Sequence, residues 1–145
     1  MDNHVPILVV SSDLKNRHAL LDILNRSGWN AICASTVGEC QETLSGGNFG
    51  LVFCERRLAD GTYREVLSMT RSLSQGPHVR LVVTSRLADW DEYLEALHDG
   101  AFDLIASPSQ TADIVRVINQ VQREDQKIGA RAVGNLTTAS AGVSA

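Results

Sequence analysis

The apolar positions of the chain change their period again and again along its length. Pro6-Ile-Leu-Val-Val10 is a continuous apolar run with β-branched residues, the pattern of a strand buried on both faces. Ser11-Ser12-Asp13 closes it and supplies helix N-cap candidates. Leu14, His18, Leu21 and Leu24, with Leu20 and Ile23 alongside, then follow helical spacing up to the stop signal Ser27-Gly28. Trp29 to Ala34 alternates loosely and predicts a second strand. Ser35 or Thr36 caps a helix with Val37, Cys40 and Leu44 on its inner face, and Gly46-Gly47 ends it. Gly50-Leu-Val-Phe-Cys54 predicts a third strand that stops abruptly at Glu55-Arg56-Arg57. Ala59-Asp60-Gly61 is a turn signal, and Tyr63, Val66, Leu67, Thr70 and Leu73 resume helical spacing.

Gly76-Pro77 breaks the chain before Val79-Arg-Leu-Val-Val83, a fourth strand closed by Thr84-Ser85. Trp90, Tyr93, Leu94 and Leu97 form a helical stripe, which predicts a core-facing side. Gly100-Ala101 ends that helix. Phe102 to Ala106 predicts a fifth strand, followed by Ser107-Pro108. A last helix, capped by Ser109 or Thr111, runs through Ile114, Val117, Ile118 and Val121.

This alternation predicts an α/β domain, (βα) five times, with a doubly wound five-stranded parallel sheet. Strands joined through helices must run parallel, and their crossovers cover both faces. Ligands of such sheets sit outside the carboxyl ends of the strands. The residues to interrogate are therefore Ser11, Ser12, Glu55, Thr84, Ser85 and Ser107. The domain is expected over residues 1–126. Residues 127–145, rich in Gly, Ala, Ser and Thr, carry no helical stripe and are expected to form a flexible tail.

Composition narrows the function. A chain of 145 residues is one domain's length and needs no disulfide staples. With 13 basic and 17 acidic side chains, its net charge of −4 argues against nucleic-acid binding, which calls for a Lys/Arg surplus. No apolar stretch approaches the ~20 residues that span a bilayer. Met-Asp-Asn-His at the start lacks a signal peptide's basic and apolar regions, so a cytoplasmic location is expected. Cys33, Cys40 and Cys54 follow no metal-ligand spacing and are expected to be small buried hydrophobes. The first strand is followed by neither a dinucleotide fingerprint nor a P-loop, and no G-x-S-x-G elbow occurs. His4, His18, His78 and His98 all lie away from the strand ends.

The strand ends carry a resemblance. Ile7-Leu-Val-Val-Ser-Ser-Asp13, Leu51-Val-Phe-Cys-Glu-Arg-Arg-Leu-Ala-Asp-Gly61, Val82-Val-Thr-Ser85 and Ala96-Leu-His-Asp-Gly-Ala-Phe-Asp-Leu-Ile-Ala-Ser-Pro108 together resemble the receiver domain of bacterial two-component response regulators. The likeness covers about Val5 to Glu124 and implies a flavodoxin-like fold. It also implies a phosphotransfer switch, in which an aspartate ending the third strand takes phosphate from a histidine kinase. Two acids at the end of the first strand hold Mg²⁺, a Ser/Thr ends the fourth strand, and Lys-Pro ends the fifth. Such transfer depends mainly on neutralising charge around the phosphoryl group.

Mapped onto this chain, most of the chemical positions are changed. The acidic pair falls on Ser11 and Ser12, the phosphoacceptor on Glu55, the lysine on Ser107, and the switch aromatic of the fifth strand on Leu104. Thr84 alone keeps the family identity. Hydroxyls replace carboxylates poorly around Mg²⁺, so metal binding is expected to be weak or absent and no other cofactor is implied. Glu55 is one methylene longer than aspartate, which displaces the attacking oxygen.

Three roles are open to Glu55: a structural relic, a mimic of a phosphorylated aspartate, or a modified acceptor. A mimic needs a counter-charge, for which Arg86, Arg56 and Arg57 are candidates. Asp13 is either a helix cap or, after a one-residue slip, a pocket carboxylate. The reading is an atypical receiver, a pseudo-receiver, that binds a signalling protein such as a histidine kinase or an output domain. A homodimer through the last two helices and the fifth strand is also implied. A phosphorelay acceptor using Asp13 with Glu55 or Asp60 is the alternative. An enzyme using the same crevice would lack a nucleophile–base pair.

Overall fold

The computed structural model describes residues 6–73 and 79–124. The tail expected over 127–145, His4, His78 and the Gly76-Pro77 break lie outside them. Contacts divide the chain into two compact units, Met1–Asp113 and Ile114–Ala145.

In the first unit the elements follow one another as β1 (Ile7–Val10), α1 (Leu14–Arg26), β2 (Ala31–Ala34), α2 (Val37–Ser45), β3 (Leu51–Glu55), β4 (Arg57–Leu58), β5 (Gly61–Thr62), α3 (Tyr63–Leu73), β6 (Arg80–Ser85), α4 (Trp90–Asp99) and β7 (Asp103–Ala106). A further helix, α5, spans 111–124, and Ile114, Val117, Ile118 and Val121 along it are buried at the expected helical spacing.

Five strands form one parallel sheet in the order β2-β1-β3-β6-β7. This is the doubly wound flavodoxin-like fold that the alternation predicts. The order explains the patterning. β1, β3 and β6 lie inside the sheet, and Leu8, Val52, Phe53 and Val82 are fully buried. β2 lies at an edge and exposes Ile32 and Cys33 between two buried alanines.

Several expectations need correction. The second strand begins at Ala31 rather than Trp29, and the fourth runs two residues past Val83 to include Thr84 and Ser85. On α1 the buried residues are Leu20 and Leu24, while Leu14 and His18 face solvent. On α4 only Ala96 is buried; Tyr93, half-buried, packs against the core, but Trp90 and Leu94 are 67% and 45% exposed, so the stripe is core on one flank only. Ala59-Asp60 is the tip of a small antiparallel hairpin, β4–β5, that the turn signal alone did not reveal. Cys33 is exposed, whereas Cys40 and Cys54 are buried. Burial pushes the Cys40 thiol up to about 11 and that of Cys54 well above its ordinary value.

Gly100 ends α4 in the left-handed region (φ 108°), and an added Cβ would overlap the Arg71 guanidinium that donates to the Asp99 carbonyl. Gly100→Ala is expected to cost about 1–3 kcal/mol, read as a lowered denaturation midpoint.

Candidate functional site

β1, β3, β6 and β7 run parallel, so their carboxyl ends gather at one edge of the sheet. The register sets Glu55 beside Thr84 on β3 and β6, with Ser107 following β7. Glu55, half-buried, receives three neutral donors. Ser11 Oγ donates to Oε1 at 2.5 Å; Asn16 Nδ2, from α1, and Ser107 Oγ donate to Oε2 at 2.9 and 3.2 Å. Ser11 and Ser107 are themselves buried. The positions at which the family resemblance implies a metal-binding acid and a lysine thus hold hydroxyls that point their protons at Glu55. Sequence reasoning missed Asn16, because its position on the first turn of α1 matches no motif.

Among the described residues, the other candidates make no hydrogen bond or ion pair to Glu55 and have partners of their own or none. Ser12 accepts from Ala59 N (2.9 Å) and donates to the Ser35 carbonyl (2.6 Å), tying the hairpin tip to the end of β2. Asp13 N-caps α1 through Asn16 N (3.2 Å) and pairs with Arg86 at 2.9 Å. The structure thus shows the capping role for Asp13, which also lines the cleft described below. Arg86 is consequently not the counter-charge of Glu55, and neither is Arg56, which faces Glu92 (3.5 Å) and Glu95 (3.2 Å) of α4. Arg57 is exposed on β4. Asp60 is also absorbed: its two oxygens accept from Val37 N (2.7 Å) and Gly38 N (3.1 Å) at the start of α2. Thr84 is buried with no side-chain hydrogen bond to Glu55, and Leu104 belongs to the apolar core.

Behind this edge, α4 is held by alternating charges. Glu92 Oε1 accepts from Ser85 Oγ (2.6 Å) and Ala88 N (3.0 Å), Glu95 meets Arg56 and Arg64, and Asp99 accepts from Tyr63 Oη and Arg64. Five carboxylates, three of them exposed and two half-buried, are held below their ordinary values. The cause is the Asn16 N–H for Asp13, the Val37 N–H for Asp60, the Thr62 hydroxyl for Glu65, Arg56 for Glu95, and the Tyr63 hydroxyl for Asp99. Depressed carboxylate values stabilise the fold above the ordinary 3.8 and 4.5, and that stability is lost as pH falls through the folded-state values. The thermal midpoint is therefore expected to be level near neutral pH and to drop on acidification below those values. A midpoint that rose on acidification would contradict this.

A cleft of about 560 Å³ opens over the edge, lined by residues that include Glu55, Arg57, Leu58, Thr84, Arg86 and Leu87. Among the described residues no three His, Cys, Asp or Glu side chains are grouped to hold a metal ion. No described helix is long and apolar enough to cross a membrane.

No family model matches the chain. Two curated relatives align with it. It is 27% identical over 118 residues to the swarming motility regulation protein RssB of Serratia marcescens, covering 81% of this chain and 52% of that protein. It is 25% identical over 130 residues to the alginate biosynthesis transcriptional regulatory protein AlgB of Pseudomonas putida, covering 90% of this chain and 28% of that protein. The chain therefore spans about half of the first relative and about a quarter of the second. Among solved structures it matches a CheY-like response regulator receiver domain protein from Methanospirillum hungatei with a TM-score of 0.74 at 21% identity, covering 86% of this chain and 99% of that one. A response regulator receiver protein from Pseudomonas putida gives 0.70 at 22% identity, covering 83% and 99%. The chain has the fold of a response-regulator receiver domain.

Proposed function

We propose that residues 1–126 form a cytoplasmic bacterial pseudo-receiver, a protein-interaction module whose state is not set by Mg²⁺-dependent aspartyl phosphorylation. The observation that carries this reading is the Glu55 carboxylate closed by Ser11, Asn16 and Ser107. A phosphoacceptor needs acids beside it to hold a metal ion, and a cation that, with the metal, neutralises the incoming phosphoryl group. Here every group that touches the acceptor-position carboxylate is neutral. The mimic role is disfavoured as well, because Arg86 and Arg56 are spent on Asp13, Glu92 and Glu95, and Thr84 makes no bond to Glu55. Glu55 acts instead as a polar staple between the ends of β1, β3 and β7 and the first turn of α1.

Partner binding would fall on α4 and the loop before it. Leu87 and Trp90 are each 67% exposed, Leu94 is partly exposed, and Trp90 stacks on Tyr93 at 5.3 Å. Aromatic anchors of this kind dominate interface energies. A histidine kinase, an output domain or a second copy of the chain would dock there.

Incubation with acetyl phosphate or beryllofluoride plus Mg²⁺ tests the reading. The expected result is an unchanged mass and an unchanged tryptophan fluorescence, from Trp29 and Trp90 together. A stoichiometric phosphoryl adduct or a saturable spectral change overturns it.

A further inference from the structure

The hydrogen-bonding capacity of the 560 Å³ cleft is unevenly spent. Its acids are engaged. Glu55 holds three donors, Asp13 accepts from Asn16 N and Arg86, and Glu92 accepts from Ser85 and Ala88 N while facing Arg56. What remains is donor. Among the described residues the Arg57 guanidinium has no hydrogen-bond or ion-pair partner, and the Thr84 hydroxyl has none either. Arg86, exposed and bonded to Asp13 through a single nitrogen, keeps N–H groups to spare. The same cleft has an apolar lining from Leu58, Ala59 and Leu87.

A cleft whose acids already hold donors, and whose unpartnered groups are guanidinium and hydroxyl donors, selects an anion. Arginine's planar fork matches the oxygens of phosphate better than a point charge does. The volume lies in the range of small-molecule sites, well beyond what a lone inorganic ion fills. We propose that the cleft binds a small phosphate monoester without a metal ion. Its phosphate sits on Arg57, Arg86 and Thr84, and its organic part lies against Leu58 and Leu87. This rests on the pseudo-receiver reading, because a Mg²⁺-loaded acidic pocket would occupy the same edge of the sheet. The lining is neutral overall: Arg56, Arg57 and Arg86 stand against Asp13, Glu55 and Glu92, with four of the six already paired to one another, so the attraction for a phosphate is local to Arg57 and the spare Arg86 N–H groups.

The test is an NMR titration of the full chain in EDTA with adenosine monophosphate, adenosine and inorganic phosphate as separate probes. The expected result is saturable shifts of the Arg57, Thr84 and Ser85 amides with the monophosphate. Adenosine and inorganic phosphate should each bind at least tenfold more weakly, and added salt should weaken the monophosphate. Arg57→Gln, an exposed change that leaves the fold intact, should reduce monophosphate affinity tenfold or more, with Arg57→Lys recovering part of it. No saturable shift, affinity untouched by Arg57→Gln, or equal binding of inorganic phosphate or adenosine overturns the proposal. Failure of the underlying reading shows separately: acetyl phosphate with Mg²⁺ would then add a covalent phosphoryl group, an event that EDTA prevents in the titration.

Discussion

Glu55→Ala is expected to destabilise the domain by about 1–3 kcal/mol, which is large for a polar residue at the rim of a cleft. The cost arises from what remains behind. Ser107 Oγ and Asn16 Nδ2 lose their shared acceptor, Glu55 Oε2, and Ser107 is 94% removed from solvent, with a relative exposure of 6%. A buried donor left without a partner carries its full desolvation penalty. Ser11 is cushioned, since its hydroxyl also lies 3.2 Å from the Asp13 carbonyl and can turn there. Glu55→Gln should lose less than half as much. Its carbonyl oxygen can take the Asn16 and Ser107 donors while its amide donates to Ser11 Oγ. Urea midpoints at constant slope measure both variants. A loss under about 0.5 kcal/mol for Glu55→Ala would mean that the carboxylate is a solvated relic and not a staple.

Much of the fold was legible because period and burial agree. A run such as Ile7-Leu-Val-Val10 reads as a strand covered on both faces, and it is one. Stop signals at Ser27-Gly28 and Gly100 fall where α1 and α4 end. Where the reading failed, tertiary context decided. Trp90 and Leu94 have the spacing of a core stripe, yet α4 is anchored on its other side by Glu92, Glu95 and Asp99 meeting Arg56, Arg64 and Tyr63. Hydrophobic spacing carries no trace of that ionic side.

At the site, the positions were legible but their partners were not. Alignment to a motif puts Ser11, Glu55 and Ser107 at strand ends, and the structure brings all three together. It does not say that Asp13, Asp60 and Ser12 are consumed by backbone groups, or that Asn16 supplies the third donor. Each of those roles depends on the hairpin β4–β5 and the first turns of α1 and α2, whose short polar side chains carry no periodic signal.

On the pseudo-receiver reading proposed above, placing the residues that the family resemblance implies at these positions should install phosphotransfer, with the individual steps behaving very differently from the whole. Ser11→Asp alone sets a carboxyl against Glu55 where a hydroxyl now donates at 2.5 Å. Like charges at that distance repel, so the introduced carboxyl holds its proton to higher pH in the folded chain than in the unfolded one. A raised folded-state value makes the variant relatively more stable at low pH and progressively less so as pH rises, opposite in sign to the carboxylates Asp13 and Asp60. Mg²⁺ should relieve the penalty by bridging the two acids, and saturation at about 100 times Kd adds roughly 2.7 kcal/mol to stability. The unaltered chain, closed by neutral donors, should show no such rise. The combination of Ser11→Asp, Ser12→Asp, Glu55→Asp and Ser107→Lys supplies metal ligands, acceptor length and the cation together, beside a Thr84 already in register with position 55. It should take up one phosphoryl group from acetyl phosphate in the presence of Mg²⁺, seen by intact mass, and none in EDTA. If the combined variant binds Mg²⁺ but remains unmodified, the barrier lies beyond these four side chains, and the short β4–β5 hairpin beside the cleft is the element to exchange next.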